Sequence, residues 1–248
     1  MKIFDSHLHI IEPGYPLIPN GGYLPNYYTS CDYKAETSSF DVAGGAIVSG
    51  SFQGTDQTYL THALEQLGEN FVGVTQLPED ITDEEIQILH QQGVRAVRFN
   101  LHRGGKEVMK RLVSTADRVF TLVGWHVELY MDVADLPEIR SILLQLPAFS
   151  IDHLGLSRRG LSELMDLVEE GVKVKATGFG RVDFDIIPVM KEIHRRNPEA
   201  LLFGTDLPST RAKRRFRRSD ITMITEHFSR READKILYQN AREWYSKR

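Results

Sequence analysis

The stretch Ile3-Phe4-Asp5-Ser6-His7-Leu8-His9-Ile10 decides how the rest of the chain is interpreted. It has the pattern of a buried strand, yet it carries two histidines two residues apart. Because side chains of a strand alternate between its faces, His7 and His9 point the same way, and Asp5 joins them. Paired imidazoles near a strand's end suit a metal site or a proton-transfer site. Two hydrogen-bonded core histidines are the alternative, so the choice depends on partners elsewhere in the chain.

The 248 residues have an ordinary globular composition, with 41% hydrophobic and 26% charged residues. This length suits one large domain, and an α/β barrel of about 250 residues is a common solution. The net charge of −4 indicates no general attraction to nucleic acid or membranes. The single cysteine, Cys31, excludes an internal disulfide and a cysteine-rich zinc site. Without a signal peptide or a membrane-spanning apolar run, we expect a cytoplasmic protein. Assembly into a homo-oligomer stays open.

Strand-like runs recur at fairly even intervals and alternate with helical stretches. Strands are predicted near residues 3–10, 44–50, 71–77, 95–101, 126–131, 148–154, 172–178 and 201–206. Helices are predicted at 56–67, 82–92, 105–122, 136–145, 161–170 and 185–196, with two more beginning at Ser219 and Ser229. This alternation indicates parallel βαβ units and predicts one eight-stranded α/β barrel domain over residues 1–248. An open doubly wound sheet is the alternative, but no glycine-rich phosphate loop follows the first strand.

Residues 11–43 interrupt this alternation of strands and helices. They contain four prolines and five tyrosines. A long connector inside a compact domain is usually functional or disordered. We therefore interpret residues 11–43 as a lid loop over the strand ends, with a plain surface loop as the alternative.

Strand alternation also places polar and charged side chains on the face that would line the barrel interior. The interior set is Asp5, His7, His9, Arg98, Asn100, Glu128, Tyr130, His153, Lys175, Thr177 and Asp206. Buried charge without a partner is costly, so we expect the chain to use these groups. Most lie toward the carboxyl ends of the strands, where barrels place active sites. A paired polar network without chemistry is the alternative, and Glu128 with Lys175 is such a pair.

Several motifs in chain order resemble the amidohydrolase superfamily. They are His7-Leu8-His9, Ile151-Asp152-His153-Leu154-Gly155 and Gly204-Thr205-Asp206-Leu207-Pro208. The branch that the chain resembles is a group of TIM-barrel hydrolases that includes pyrone-dicarboxylate lactonase and sugar lactonases. The segments 97–100, 127–130 and 240–245 fit the same branch. The resemblance covers nearly the whole chain and implies a distorted (β/α)₈ TIM barrel.

The resemblance also implies roles for individual residues. Metal or catalytic positions of the family are matched by His7, His9, His153 and Asp206, with Asp206 as the general base. Substrate-binding positions are matched by Arg98, Asn100, Tyr130 and Arg181. The fourth strand lacks the bridging lysine or glutamate of two-metal members, so two metals are not expected. One divalent ion, zinc or manganese, held by the four metal or catalytic residues stays open, as does a metal-independent mechanism.

The implied reaction is the opening of a small lactone that carries an anionic or polyhydroxy group, by activated water. A metal-dependent decarboxylase of a small aromatic or unsaturated acid is the main alternative. A deoxyribonuclease of the same superfold would need an acidic ligand on the fourth strand, which this chain lacks. A non-catalytic binding barrel is the alternative from another class.

A basic run occupies residues 211–218, Arg-Ala-Lys-Arg-Arg-Phe-Arg-Arg, with six positive residues and no negative one. Such a run suggests a local anion site or a nucleic-acid patch. Its place just after the eighth strand puts it beside the expected pocket. We expect Arg211 to reach an anionic substrate and the other residues to form a solvated helix, so nucleic acid is not an expected partner.

Overall fold

The computed structural model describes residues 1–246, except for the side chains of residues 103–107. Eight parallel strands form one sheet in which each strand pairs with the next along the chain. The strands are β1 (Lys2–Leu8), β2 (Asp41–Val48), β3 (Phe71–Thr75), β4 (Val94–Asn100), β5 (His126–Tyr130), β6 (Phe149–Ile151), β7 (Lys173–Ala176) and β8 (Leu201–Phe203). This order, with helices between the strands, is that of a (β/α)₈ barrel.

Helices surround the sheet. They are α1 (Ser30–Thr37), α2 (Thr58–Leu67), α3 (Asp83–Gln91), α4 (Leu101–Val123), α5 (Leu136–Leu143), α6 (Leu161–Glu169), α7 (Ile186–Arg196), α8 (Arg218–His227), α9 (Arg230–Asp234) and α10 (Asn240–Ser246). Capping boxes are present at the starts of α3 and α9. In the first, the Thr82 hydroxyl accepts from the Glu85 N–H and Glu85 accepts from the Thr82 N–H. Within the described chain, none of the helices has the length and apolar character needed to cross a membrane.

The barrel is completed where β8 meets β1. The N–H of Asp206 donates to the carbonyl of His7 at 2.7 Å, and the N–H of His9 donates to the carbonyl of Leu207 at 2.7 Å. Gly204 permits this approach, because a Cβ atom there would lie 2.7 Å from the backbone nitrogen of His7. The barrel prediction is therefore confirmed and the open doubly wound sheet is wrong. The same contact places Asp206 beside the histidines of β1.

The apolar core lies between the strands and the helices. Strand residues that face the helices are almost fully buried, among them Val97, Val127, Leu129, Ile151 and Val174. Burying such a side chain contributes about 1.5–3 kcal/mol. The opposite faces of the strands carry most of the polar interior set, and the remaining members follow directly after the strand ends.

The segment 11–43 contains more structure than the sequence pattern indicated. Ile11 and Tyr28 form an antiparallel bridge, and α1 follows directly. Tyr33 on α1 is buried, and its hydroxyl donates to Asp5 at 2.9 Å. The segment is thus anchored to the barrel through β1. Its function as a lid stays a prediction.

Candidate active site

Three predicted site residues converge at the carboxyl end of the barrel. Nε2 of His7 lies 3.9 Å and Nε2 of His9 lies 3.7 Å from Oδ1 of Asp206. The other ring nitrogen of His9 is 2.7 Å from the carbonyl of Val48, and Nδ1 of His7 faces Asp152 at 3.5 Å. A backbone carbonyl can only accept, so Nδ1 of His9 donates and Nε2 keeps its lone pair. Both imidazoles therefore direct Nε2 toward one carboxylate oxygen.

His153 joins this group by a turn and not by strand alternation. β6 ends at Ile151, and His153 then has a left-handed φ of 53°. Its ring lies 4.9 Å from the ring of His7. Gly178 makes room for it, since a Cβ atom there would lie 2.5 Å from Nδ1 of His153. Asp206 has a φ of 59°. Left-handed backbone at non-glycine residues is costly and concentrates at functional sites.

Arg181 is paired with Asp206. Its Nε donates to Oδ2 of Asp206 at 2.7 Å, and its Nη2 donates to the carbonyl of Thr210 at 2.8 Å. Burial alone would raise the pKa of Asp206, but the positive charge of Arg181 and the neighbouring histidines together outweigh burial and hold that pKa well below its usual range. Asp206 is therefore ionised at neutral pH, as a proton acceptor must be.

Asp152 is a site residue that the sequence analysis did not assign. Arg98 donates to it at 3.0 Å and also to the carbonyl of Ser49 at 2.8 Å. Burial raises the pKa of Asp152, but His7 and Arg98 together bring it well below its usual value. The residue that orients His7 is thus a carboxylate held by Arg98. Alternation from Ser150 would have placed Asp152 on the interior face, so a signal was present.

His7 and His153 are neutral at pH 7. Burial lowers the pKa of His7 to about 4, although the nearby Asp152 acts in the opposite direction. Burial also lowers the pKa of His153 well below its ordinary value. Neutral imidazole can hydrogen-bond a substrate carbonyl through N–H or bind a metal through its lone pair.

The side chains present fit a single divalent metal ion. Nε2 of His7 and Oδ1 of Asp206 are buried without a hydrogen-bond partner in the described chain. With a ligand atom of His9, they lie within 4.8 Å of one another. Such spacing suits bonds of about 2.0–2.2 Å to one ion. His153 belongs to a separate group with His7 and Asp152. The expected set of four ligands is therefore divided between two overlapping groups.

A cavity opens beside these residues. Its walls include all five residues expected to bind substrate, namely Arg98, Asn100, Tyr130, Arg181 and Arg211. The Tyr130 ring lies 5.5 Å from that of His153, and the Arg98 guanidinium lies 5.4 Å from the Tyr130 ring. The structure thus brings the predicted catalytic and substrate-binding residues to one accessible place.

The basic run is tied to the segment 11–43. The Arg211 guanidinium lies 4.4 Å from the ring of Tyr23, and Arg215 forms an ion pair with Glu36 at 2.6 Å. Arg214 instead pairs with Asp220 at 2.9 Å. The expectation of a solvated helix is wrong for residues 211–217, because α8 begins only at Arg218. Most of these side chains remain exposed, yet they hold the segment 11–43 beside β8.

A second polar cluster lies deeper in the barrel. Glu128 accepts hydrogen bonds from Lys175 at one oxygen and from Tyr245 at the other. Burial raises the pKa of Glu128, but Lys175 and His126 together outweigh burial and lower that pKa to about 2. Nζ of Lys175 also donates to the carbonyl of Ser6 at 2.8 Å and lies 3.4 Å from Nδ1 of His7. Glu128 and Lys175 form the pair that alternation suggested, and Lys175 connects this cluster to the rim.

The architecture and these residues have counterparts in known proteins. The amidohydrolase family model matches residues 4–247, so the chain belongs to the amidohydrolase family. The resemblance stated from the sequence is thereby confirmed. Over 239 residues the chain is 26% identical to the 2-pyrone-4,6-dicarboxylate hydrolase of Comamonas testosteroni, covering 84% of this chain and 77% of that protein. Over 264 residues it is 24% identical to the 4-sulfomuconolactone hydrolase of Hydrogenophaga intermedia, covering 96% and 86%.

Solved structures agree with this membership. A protein from Pseudomonas putida, described as a candidate 2-pyrone-4,6-dicarboxylic acid hydrolase, superposes with a TM-score of 0.80 at 27% identity. The match covers 98% of this chain and 97% of that one. An Agrobacterium tumefaciens protein gives a TM-score of 0.86 at 18% identity, covering 99% and 96%, which supports the fold alone.

Proposed function

We propose that the protein hydrolyses a small lactone that carries an anionic group, with Asp206 activating the attacking water. The observation that carries this proposal is the buried Oδ1 of Asp206, unpartnered in the part of the chain that the structure describes, which faces two imidazoles beside a cavity. Two curated relatives are named as hydrolases of lactones, which supports the substrate class. We expect the reaction to take place in the cytoplasm.

The chemistry follows from the charge states of these residues. The ionised Asp206 accepts a proton from water as the water oxygen bonds to the lactone carbonyl carbon. A neutral imidazole at the cavity wall, such as that of His153, donates N–H to the carbonyl oxygen as negative charge develops there. The ring C–O bond then breaks, and the proton on Asp206 passes to the leaving oxygen.

Arg181 links substrate binding to the strength of the base. In the structure it holds the pKa of Asp206 low through their contact at 2.7 Å. An anionic substituent on the substrate would compete for the same guanidinium. As Arg181 turns toward that substituent, the pKa of Asp206 rises and the carboxylate becomes a stronger base. An anionic substrate would therefore activate its own hydrolysis.

A divalent metal ion bound by this group of side chains would contribute further to catalysis. His7, His9 and Asp206 would hold one divalent ion, with zinc as the expected occupant of this nitrogen and oxygen donor set. Such an ion supplies Lewis-acid polarisation when bound. Metal analysis of the purified protein, followed by zinc titration of wild type and His9→Gln by calorimetry, tests this assignment without an activity assay. A single site weakened at least about tenfold in His9→Gln is expected, and equal affinities would contradict it.

The experiment that tests the reaction is an assay of small anionic lactones in which acid release and carbon dioxide are measured in parallel. One proton released per ring opened, without carbon dioxide, is the expected result. Carbon dioxide release without ring opening would contradict lactone hydrolysis and indicate a decarboxylase. Binding without any product would make the chain a binding barrel.

A further inference from the structure

A second, larger cavity adjoins the catalytic one at the end of β4. Its volume is about 300 Å³, against about 40 Å³ for the cavity beside the histidines. The two share Ser51, Arg98 and Asn100 in their walls, so one ligand can extend from one cavity into the other. Since a water molecule occupies roughly 30 Å³ of liquid, the smaller cavity holds little more than one reacting group. The larger one falls in the size range of ligand sites.

The walls of the larger cavity are mainly uncharged. The apolar part comes from β4, α4 and the segment after β3, with Leu77, Val97, Phe99 and Val108. Among the lining side chains that the structure describes, the charged ones are Arg98 and Arg111. Both are in ion pairs, Arg98 with Asp152 at 3.0 Å and Arg111 with Glu79 at 3.0 Å. An anionic group entering here would have to compete with Asp152 or Glu79 for its cation.

We propose, on the basis of the lactone hydrolysis inferred above, that this cavity binds a neutral, mainly apolar substituent of the lactone. An alkyl or aromatic group displaces water from Phe99 and Val108 and leaves both ion pairs intact. A second anionic group would lose its hydration, and both cations among the described lining residues are already paired. The substrate therefore carries its anionic group on the side of Arg181 and a neutral arm between β4 and α4. This sets it apart from the dicarboxylate in the name of one relative.

A series of γ-lactones that carry one ring carboxylate for Arg181 and γ-alkyl groups from methyl to hexyl tests the proposal. We expect kcat/KM to rise about fourfold for each methylene that enters the cavity, until the cavity is filled. A lactone whose arm has the same length but ends in a carboxylate should show no such gain. A response that is flat with alkyl length, or larger for the carboxylate arm, would overturn the proposal.

A variant that fills the larger cavity tests whether the neutral arm of the substrate binds there. Thr115 on α4 lines the cavity, whereas the adjacent Ser114 is exposed and does not. We expect Thr115→Trp to lower kcat/KM for the hexyl lactone at least about tenfold while leaving the methyl lactone within about twofold. Ser114→Trp should match wild type on both. Equal losses on both lactones in Thr115→Trp would contradict the location.

Binding of an inert analogue separates this proposal from the function on which it rests. The analogue is a cyclopentanone with the same ring carboxylate and hexyl arm, in which a methylene replaces the ring oxygen, and the compound without the hexyl arm is its control. Calorimetry should show tighter binding of the hexyl compound by wild type, and the milder Val108→Phe should remove that gain. Equal binding of the two ketones would overturn the neutral-arm site. Selective binding with no lactone opened would keep this site and reject the hydrolysis.

Discussion

Two buried carboxylates in the barrel interior, Glu128 and Asp206, differ in how completely they are paired. Each is fully buried and each contacts a basic side chain. Both oxygens of Glu128 accept hydrogen bonds, from Lys175 and from Tyr245. Asp206 is paired with Arg181 through Oδ2, while its Oδ1 is buried and unpartnered in the described structure. Both oxygens of Glu128 thus have hydrogen-bond partners within the protein. Oδ1 of Asp206 instead remains available to a ligand.

This difference indicates which part of the polar interior serves stability and which serves chemistry. A buried acceptor left unsatisfied costs about 1–3 kcal/mol. At Asp206 this adds to a left-handed backbone, which also carries a cost. The Glu128 cluster lies deeper and has no such deficit at its carboxylate. The surroundings of Asp206 are thus less stabilising than the deeper Glu128 cluster, as expected for a functional site.

The largest effect that the comparison predicts is on stability, at Lys175. Lys175→Met leaves the Glu128 charge buried without its cation, so the free energy of unfolding should fall by about 3–5 kcal/mol. Arg195→Met, which removes an exposed partner of Glu192, should leave the free energy of unfolding nearly unchanged. Denaturant unfolding measures both. Similar losses in the two variants would mean that the deeper pair does not stabilise the barrel.

A smaller effect is expected at Gly178, on turnover. Both Gly178 and Gly171 have positive φ, but only at Gly178 would a Cβ atom meet His153, at 2.5 Å from Nδ1. Gly178→Ala should therefore displace the imidazole and lower kcat by about 10²-fold. Gly171→Ala has open space and should lose stability alone. Steady-state kinetics beside thermal unfolding distinguish the two, and full turnover in Gly178→Ala would argue against a precise role for His153.

The smallest effect is a shift in pH dependence at Arg181. Its charge holds the pKa of Asp206 below the ordinary value, so Arg181→Gln should raise that pKa. A base with a higher pKa is protonated, and inactive, up to a higher pH. An acidic limb of kcat/KM should consequently appear in Arg181→Gln at higher pH than in the wild type. Arg181→Lys should keep much of the wild-type pH profile of kcat/KM. An unchanged acidic limb in Arg181→Gln would show that Arg181 does not control the pKa of the general base.

Most of the fold was predictable because strand and helix periods alternate clearly along the chain. The predicted strands 148–154 and 201–206 nevertheless continue past the true ends at Ile151 and Phe203. The residues beyond these ends keep the strand pattern but turn away, as the φ of 59° at Asp206 shows. A left-handed turn at a non-glycine residue leaves no mark in periodicity.

Helix α1 was missed although a signal was present. Thr29 and Asp32 form a capping box in which each side chain accepts from the other's backbone N–H. The many prolines and tyrosines around it favoured the interpretation as a loop. A search for capping boxes inside the segment 11–43 would have found the helix.

At the site, alternation placed His7 and His9 correctly on one face, but it could not supply partners from distant strands. The pair formed by Arg98 and Asp152 joins positions 54 residues apart, and the contact between Glu128 and Tyr245 spans 117. Such pairings depend on the closure of the barrel, which periodicity does not encode. The sequence therefore predicted which residues lie at the site better than it predicted the hydrogen bonds between them.

The most direct test of the central claim is the turnover of Asp206→Asn, measured together with its thermal unfolding. Asparagine keeps the shape of the side chain and an acceptor for Arg181, but it cannot take a proton from water. We predict that kcat/KM for a small lactone falls by about 10³-fold or more, within the range of lost general-base catalysis, while Tm stays equal or rises. A folded Asp206→Asn protein that opens lactones at nearly the wild-type rate would contradict the account.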